Sequence, residues 1–101
     1  MPKKPYTVAE IRRIVHPIAE RYGVERVYLF GSYVRDEVTP NSDFDIRIDC
    51  GAICDLFELS SFHQELENTL SGTVDLLTTG SLEDKFLSRI ANEEVMLYER
   101  S

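Results

Sequence analysis

Two aspartates one residue apart, in a segment typical of a strand, are the residues of this chain best suited to chemistry. Asp43 and Asp45 flank Phe44 in the run Ser-Asp-Phe-Asp-Ile. Because successive strand side chains point to opposite faces, we expect both carboxylates on one face and Phe44 on the other, toward a core. Carboxylates this close repel each other unless cations lie between them, and Mg²⁺ prefers oxygen ligands. The spacing therefore predicts a magnesium site that suits a bound nucleoside triphosphate.

A second group of residues, which could bind the triphosphate, precedes the aspartates in the chain. Gly31 and Ser32 follow the apolar run 26–30, and Arg35 comes three residues later. The pattern predicts a short helix over 32–37, whose free backbone amides would face an anion. In this interpretation the Ser32 hydroxyl, the nearby amides and Arg35 bind triphosphate, although a simple helix cap explains Ser32 equally well. The chain contains neither G-x-x-x-x-G-K-[ST] nor G-x-G-x-x-G, so phosphate binding depends on Gly31 and Ser32.

Asp75 is the acidic residue inside the third apolar strand. An ionised carboxylate is costly in such a strand unless it is paired or binds a metal. If the third strand lies beside the second, Asp75 completes a cluster of three carboxylates with Asp43 and Asp45. Two Mg²⁺ ions bridged by such a cluster can activate an attacking oxygen and stabilise pyrophosphate as it leaves the α-phosphate.

Each aspartate also has a purely structural interpretation. Asp43 could cap a turn, Asp45 could pair with Arg47 or Arg35, and Asp75 could lie at a strand end. For a single aspartate this alternative is the stronger one. The combination of all three with Gly31-Ser32 and Arg35 favours the catalytic interpretation.

Helices and strands alternate along the chain, which predicts one layered domain of mixed α and β structure. The sheet should have three or four strands flanked by helices. Pro17, inside the first helix, predicts a kink or break near His16. The predicted elements are a helix from the Thr7 capping box to about Gly23, a buried central strand over 26–30, a turn over 39–42, a strand from Asp43 to about Cys50, a helix from about Cys54 to Leu70, a strand over 73–78, a helix from Ser81 to about Glu94, and an edge strand over 95–98.

Length and charge restrict the function further. The 101 residues fit a single domain, with 1–6 expected to be a flexible N-terminus. No signal peptide or membrane-spanning run is apparent, so we expect a cytoplasmic protein with no membrane partner. With 11 Lys and Arg against 18 Asp and Glu, the net charge of −7 argues against direct contact with nucleic acid and favours a basic protein partner.

The cysteines and histidines carry no recognisable motif. Cys50 and Cys54 lack the further ligands of a zinc site and are expected to be reduced, structural thiols. His16 and His63 fall in different predicted helices and are expected to be surface or partly buried residues. These four residues are therefore assigned no catalytic role.

Three runs together resemble a known family. LFGSYVR at 29–35, SDFDI at 42–46 and VDL at 74–76 are similar to the minimal nucleotidyltransferase branch of the DNA polymerase β superfamily. The resemblance spans about Val8 to Glu99, and the paired G-S-x-x-R and S-D-x-D motifs are its specific part. It implies a polymerase-β-like fold, a mixed sheet flanked by helices, and Mg²⁺-dependent use of ATP. It also implies metal ligation by Asp43, Asp45 and Asp75, triphosphate binding by Ser32 and Gly31, and a role for Asp75 in deprotonating the acceptor.

Stand-alone members of this branch are similar to antitoxins that pair with HEPN-domain ribonuclease toxins and transfer AMP to a toxin tyrosine. The resemblance thus implies a HEPN toxin as partner, with ATP as substrate. Two positions depart from the family pattern: Asp36 replaces a common glycine, and Arg47 replaces an apolar residue. Arg47 could pair with Asp49, contact phosphate or compete with metal. Two alternatives to AMP transfer onto a toxin remain. One is a module that neutralises its partner by contact alone, and the other is an enzyme that transfers a nucleotide to a small molecule.

Overall fold

A four-stranded sheet and two long helices make up most of the described structure. The computed structural model describes residues 5–35, 37–39, 41–51, 55–79, 85, 88 and 93–100. The elements are α1 (Val8–Tyr22), β1 (Arg26–Phe30), a 3₁₀ turn (Gly31–Tyr33), β2 (Phe44–Asp49), α2 (Leu56–Leu70), β3 (Val74–Thr78) and β4 (Val95–Glu99). The predicted mixed α and β fold is confirmed.

The strand order of the sheet is β3-β2-β1-β4. β1 pairs antiparallel with β2 on one side and with β4 on the other, so it is the central strand that its composition predicts. β3 pairs parallel with β2, and α2 supplies the crossover that a parallel connection needs. The third strand therefore lies beside the second, as expected, and β4 is an edge strand.

Both helices pack on the same face of the sheet, and together they form one apolar core. Apolar residues recur on α1 and α2 at helical spacing, and every second residue of the strands meets them. The fully buried members are Ile11, Val15 and Ala19 of α1, Phe62, Leu66 and Leu70 of α2, and Val27, Leu29, Phe44, Ile46 and Ile48 of the sheet. Since alternate side chains of β2 enter this core, Asp45 and Arg47 must lie on the opposite face.

The first helix begins and ends at the predicted signals. Thr7 and Glu10 form a capping box, in which each backbone N–H donates to the other residue's side chain at 2.8 and 3.1 Å. Gly23 ends the helix in the left-handed region at φ 74°. The predicted break at Pro17 is absent, because α1 is continuous from Val8 to Tyr22. Pro17 lies on an exposed part of the helix, where water can replace the missing backbone hydrogen bond.

The short helix predicted over 32–37 is shorter and begins one residue earlier. The chain forms a 3₁₀ turn over Gly31–Tyr33, and the Gly31 carbonyl accepts hydrogen bonds from the N–H groups of both Val34 and Arg35, at 3.0 and 3.1 Å. The next carbonyl, of Ser32, instead accepts from the N–H of Glu37, five residues on. A regular helical ladder therefore does not continue, and Ser32 does not cap it, because the capping position is Phe30 and has no side-chain bond.

Smaller differences concern the ends of elements. β2 begins at Phe44 rather than Asp43, and α2 is capped by Asp55, whose carboxylate accepts from the N–H groups of Phe57 and Glu58. Tyr6 lies in the segment 1–6, and its ring is 6.0 Å from that of Phe44. The helix predicted from 81 to 94 falls largely outside the described residues.

The remaining predictions concern membrane helices, cysteines and histidines. Within the described ranges no helix combines the length and apolar character needed to span a membrane. Cys50 packs against the core, and Cys54 lies outside the described residues. The His16 ring meets Tyr98 edge-on at 5.1 Å, and His63 Nε2 lies 2.6 Å from the Val74 carbonyl oxygen. Both histidines thus have structural contacts, as expected.

Candidate active site

The parallel pairing of β2 with β3 brings two of the predicted aspartates together. Asp45 and Asp75 are direct partners in the register, on the face of the sheet away from the helices. Asp45 is half-buried, whereas Asp75 and Asp43 are exposed. Asp43 precedes the first residue of β2, two positions before Asp45 and on the same face. The parallel pairing thus brings Asp75 beside Asp45, which is the condition that the predicted three-carboxylate cluster requires.

The electrostatics of Asp45 reflect both its burial and its charged neighbours. Burial raises the pKa of Asp45, and the charges of Asp75 and then Asp43 raise it further, while Arg35 acts in the opposite direction. Within the described part of the chain Asp45 forms no ion pair with either Arg35 or Arg47. The structural interpretation of Asp45 as an arginine partner is thus not supported.

The turn before β2 is closed by other residues than Asp43. The Ser42 N–H donates to the Thr39 carbonyl at 3.0 Å, and the Ser42 hydroxyl accepts from the Thr39 N–H at 2.8 Å. These bonds satisfy the turn without a carboxylate. Asp43 is consequently left exposed at the site rather than used as a cap.

Gly31 packs its backbone directly on the Asp45 carboxylate. The preceding residue, Phe30, is the register partner of Asp45 on β1, so the chain leaves β1 beside that carboxylate. A Cβ on Gly31 would lie 2.1 Å from Asp45 Oδ2, which no real side chain tolerates. Gly31 also has φ +79°, a conformation that favours glycine. The glycine thus permits both the turn and the close approach, with half-buried Ser32 next in the chain.

The donor set fits a hard cation. Asp43, Asp45 and Asp75 offer only carboxylate oxygens, which Mg²⁺ prefers. The pKa of Asp45 is raised first by burial and then by the charges of Asp75 and Asp43, which a bound cation would offset. As the side chains stand, no three His, Cys, Asp or Glu residues of the described chain are close enough to hold a metal ion. Because Asp43 and Asp75 are exposed, rotation of their side chains could bring their oxygens toward Asp45.

The two candidate arginines have different surroundings. Arg35 is exposed and forms ion pairs with Glu93 at 3.2 Å and Glu37 at 3.5 Å. Arg47 is nearly buried and donates to both carboxylate oxygens of Glu94, at 3.0 and 2.6 Å. Arg47 is therefore directed to Glu94 rather than to the aspartate group, and Arg35 is the cation that acts on Asp45.

Sequence comparison identifies the family. Residues 13–101 match the family model described as polymerase beta, nucleotidyltransferase. The chain belongs to this nucleotidyltransferase family. A relative in Methanocaldococcus jannaschii, MJ0435, is named as a candidate protein adenylyltransferase; it is 40% identical over 88 residues, which cover 87% of this chain and 95% of that protein. Protein adenylyltransferase MntA of Thermococcus cleftensis is 34% identical over 93 residues, covering 88% and 94%.

Solved structures show the same fold for this nucleotidyltransferase. A crystal structure of a toxin-antitoxin with AMP-PNP superposes with a TM-score of 0.75 at 22% identity, covering 89% of this chain and 74% of that one. A structure of a tri-AMPylated HEPN toxin from Shewanella oneidensis in complex with its MNT antitoxin gives a TM-score of 0.70 at 19% identity, covering 93% and 74%. At these identities the comparison establishes the fold.

Sequence reasoning missed the carboxylates that hold the two arginines of this nucleotidyltransferase. Glu93 and Glu94 are consecutive residues just before β4, and they pair with Arg35 and Arg47 respectively. Thr79, just after β3, is a further partner of Arg47. The only available signal was the pair of glutamates before the terminal apolar strand. Their partners are 47 and 58 positions away, so the fold itself was needed to find them.

Proposed function

We propose that this chain is a Mg²⁺-dependent protein adenylyltransferase that transfers AMP from ATP to a tyrosine hydroxyl of a HEPN-type ribonuclease toxin and so acts as its antitoxin. The observation that carries the proposal is the Asp45–Asp75 pair, with the Gly31 backbone against the Asp45 carboxylate. The names of the relatives, protein adenylyltransferases, support the reaction class. The fold shared with an MNT antitoxin bound to an AMPylated HEPN toxin supports the partner.

The proposed roles follow from where each side chain lies. Asp43, Asp45 and Asp75 would hold Mg²⁺, two ions of which neutralise the triphosphate and the leaving pyrophosphate when bound. Ser32 and the amides of the turn after Gly31 bind the triphosphate, and Arg35 supplies positive charge at the same end of the sheet. Each of these groups lies at or beside the end of β2 where Asp45 meets Asp75.

The transfer step requires a place for one proton. The acceptor oxygen forms a bond to the α-phosphorus, and the bond from that phosphorus to the bridging oxygen breaks, so pyrophosphate leaves with the electron pair. Asp75 is exposed, so an acceptor hydroxyl from a second protein can approach it, and its carboxylate takes the proton. An exposed site at the sheet surface suits an acceptor carried by a partner protein.

The contact-only alternative depended largely on Arg47 competing with the metal. The guanidinium of Arg47 donates to Glu94 and Thr79, so it is directed away from the three aspartates. The described contacts therefore give no reason for a silent site. Net charge of −7 is compatible with a basic partner under either function.

The experiment is a labelling reaction. The purified chain is incubated with Mg²⁺, α-phosphate-labelled ATP and lysate of its native cell, alongside Asp45→Asn and the control Asp55→Asn. We expect label on one protein band, located on tyrosine by mass spectrometry. The labelling rate of Asp45→Asn should fall more than about 100-fold, because replacing even a residue that only orients a metal ligand lowers activity about 10- to 100-fold. Asp55→Asn should label normally, since Asn caps a helix as well as Asp does.

Three results would contradict the proposal. Equal labelling by Asp45→Asn would show that the Asp45 carboxylate is not needed for the reaction. Label confined to a small molecule would identify the acceptor as something other than protein. Absence of all label, despite binding of Mg²⁺ and ATP, would favour neutralisation by contact alone.

A further inference from the structure

Arg47 is a charged residue at a position where a strand residue of this sheet could be apolar. Only 8% of it is exposed, and it lies on the site face of β2, two residues after Asp45. Removing a guanidinium from water is costly unless its donors are paired. An apolar side chain would fill the place without that cost, so the contacts of Arg47 need an explanation beyond packing.

Each of the three nitrogens of the Arg47 guanidinium donates a hydrogen bond. Nε and Nη2 donate to the two carboxylate oxygens of Glu94 at 3.0 and 2.6 Å, and Nη1 donates to the Thr79 hydroxyl at 2.6 Å. Nη1 also lies 3.6 Å from Asp49 Oδ1, and the group stacks over the Tyr28 ring at 4.1 Å. Burial opposes the charge, but Glu94 and Asp49 outweigh it, so the pKa of Arg47 is above its ordinary value. The side chain is held in one orientation.

The partners of Arg47 stand at two informative places in the chain. Thr79 is the first residue after β3, and Glu94 is the last residue before β4. These strands are the opposite edges of the sheet, separated by β2 and β1. One guanidinium on β2 therefore ties both ends of the β3–β4 connection to the middle of the sheet. We call Thr79, Arg47 and Glu94 the Arg47 clasp.

The Arg47 clasp is coupled by one peptide bond to the candidate phosphate site. Glu93 precedes Glu94 and forms the 3.2 Å ion pair with Arg35. The Arg35 N–H in turn donates to the Gly31 carbonyl at 3.1 Å, and the Gly31 backbone packs on the Asp45 carboxylate. A displacement of Glu94 must move Glu93, and with it the carboxylate that holds Arg35.

We propose that Arg47 is a positioning residue of the nucleotide site: through Glu94 and its neighbour Glu93 it holds Arg35 beside Asp45, and so sets the affinity for the triphosphate. The inference rests on the proposed function, because it assigns Arg35 to triphosphate. Arg47 itself is directed to Glu94, Thr79 and Asp49. Its forked, planar donors fix the direction of Glu94, which a lysine or an apolar residue cannot do.

The test separates positioning from stability. Arg47→Met alone would leave the nearly buried Glu94 carboxylate without its partner and destabilise the fold, so the main variant is Arg47→Met with Glu94→Leu. Replacing a buried ion pair by apolar residues is often neutral or stabilising, so we expect an unchanged or higher Tm. We also expect Mg²⁺-dependent binding of a non-hydrolysable ATP analogue, followed by calorimetry, to weaken about three- to thirtyfold, as is typical of coupling through contacts.

A double-mutant cycle with Arg35 distinguishes positioning from a purely structural role. Its measured quantity is the affinity for the analogue. If Arg47 acts through Arg35, the double replacement should weaken analogue binding in the native chain but have little further effect in an Arg35→Met background. Additive effects, or a stable double variant that binds the analogue as tightly as the native chain, would overturn the proposal. Arg47→Lys should bind with intermediate affinity.

Binding is measured without an acceptor, so the two proposals fail separately. A native chain that binds the analogue but transfers no AMP would contradict the proposed function. The double-mutant cycle would still decide the role of Arg47. A native chain that binds no analogue in the presence of Mg²⁺ would overturn both.

Discussion

The two faces of the sheet are built from the same strands but carry opposite chemistry. On the face covered by α1 and α2, the side chains of β2 are Phe44, Ile46 and Ile48, all fully buried. On the other face, the same strand presents Asp45 and Arg47 to Asp75, Glu94 and Thr79. Alternation along one strand thus separates the residues that stabilise the fold from those available for chemistry.

The difference shows what each face contributes to stability. The apolar face gains free energy in proportion to the area that it removes from water. The polar face contains a carboxylate whose pKa is raised by burial and by like charges, and an arginine that needs several partners to be tolerated. We therefore expect substitutions on the apolar face to act on stability, and those around Asp45 to act on the reaction.

The largest effect on stability is expected for Phe62→Ala. Phe62 is fully buried on α2 and meets Tyr22 edge-on at 5.4 Å between ring centroids. Truncation of a buried phenylalanine costs about 3–5 kcal/mol, a large part of the stability of a domain of this size. Urea unfolding should show this loss, while AMP transfer per folded molecule, measured well below Tm, stays within about twofold.

Phe57→Ala is the matched control for Phe62, since Phe57 lies on the same helix and is 86% exposed. Its replacement should change the free energy of unfolding by less than about 0.5 kcal/mol. Equal losses for the two variants would show that the apolar face does not dominate stability.

An intermediate effect on stability and activity is expected for Gly31→Ala. Gly31 directly follows β1 and lies against Asp45 on the polar face. The new Cβ would meet the Asp45 carboxylate, and the residue would have to keep φ +79°. We expect a loss of about 1 kcal/mol or more in stability. AMP transfer should fall by up to about 100-fold, because small misplacements of catalytic groups can cost that much. The measurements are thermal unfolding and the initial rate of labelling.

Gly51→Ala separates the two consequences of the Gly31 substitution. Gly51 has φ +59°, and a Cβ there would lie 2.8 Å from backbone atoms of Glu25 and Gly23. Gly51 follows the end of β2 that is opposite to Asp45. This variant should lose stability but keep its labelling rate per folded molecule. A comparable loss of rate in Gly51→Ala would indicate that backbone strain anywhere in the domain impairs the reaction.

Most of the fold could be predicted because local signals agree with tertiary packing. The capping box at Thr7, the stop at Gly23 and the apolar run of β1 each have a short-range physical cause, and each is observed. Two predictions differ from the structure: α1 has no break near His16, and the helix near Ser32 is shorter than 32–37. An exposed proline is tolerated in α1, and the Gly31 carbonyl closes the turn after three residues.

The site was predictable only as far as strand alternation and pairing reach. Asp43 and Asp45 share a face by period, and Asp75 joins them once β3 is placed beside β2. The partners of Arg35 and Arg47 depend on where the residues before β4 return to the sheet, which no local pattern encodes. For Arg47 the sequence predicts pairing with Asp49, contact with phosphate or competition with metal. The Asp49 contact is present at 3.6 Å, and the contacts with Glu94 and Thr79 are the ones that the sequence does not predict.

The smallest effect, and the sharpest comparison within the polar face, is the dependence of stability on pH. The pKa of folded Asp45 lies above its unfolded value because of burial and the charges of Asp75 and Asp43. The folded state therefore holds that proton more tightly, and this contribution to stability is lost as pH rises through the folded pKa. Asn cannot ionise, so metal-free Asp45→Asn should have a higher Tm than the native chain at neutral pH. The difference should shrink as pH falls below the unfolded pKa of aspartate.

Asp49→Asn, on the same strand and face, should behave in the opposite way at neutral pH. Asp49 Oδ2 lies 3.3 Å from Arg26, and its other oxygen lies 3.6 Å from Arg47, so its removal breaks attractive contacts and should lower Tm. Added Mg²⁺ should raise the Tm of the native chain and of Asp49→Asn but not of Asp45→Asn, because a ligand that binds only the folded state stabilises it. A lower Tm for metal-free Asp45→Asn would mean that Asp45 is held by attractive contacts, and that the polar face is stabilised by its charges rather than strained by them.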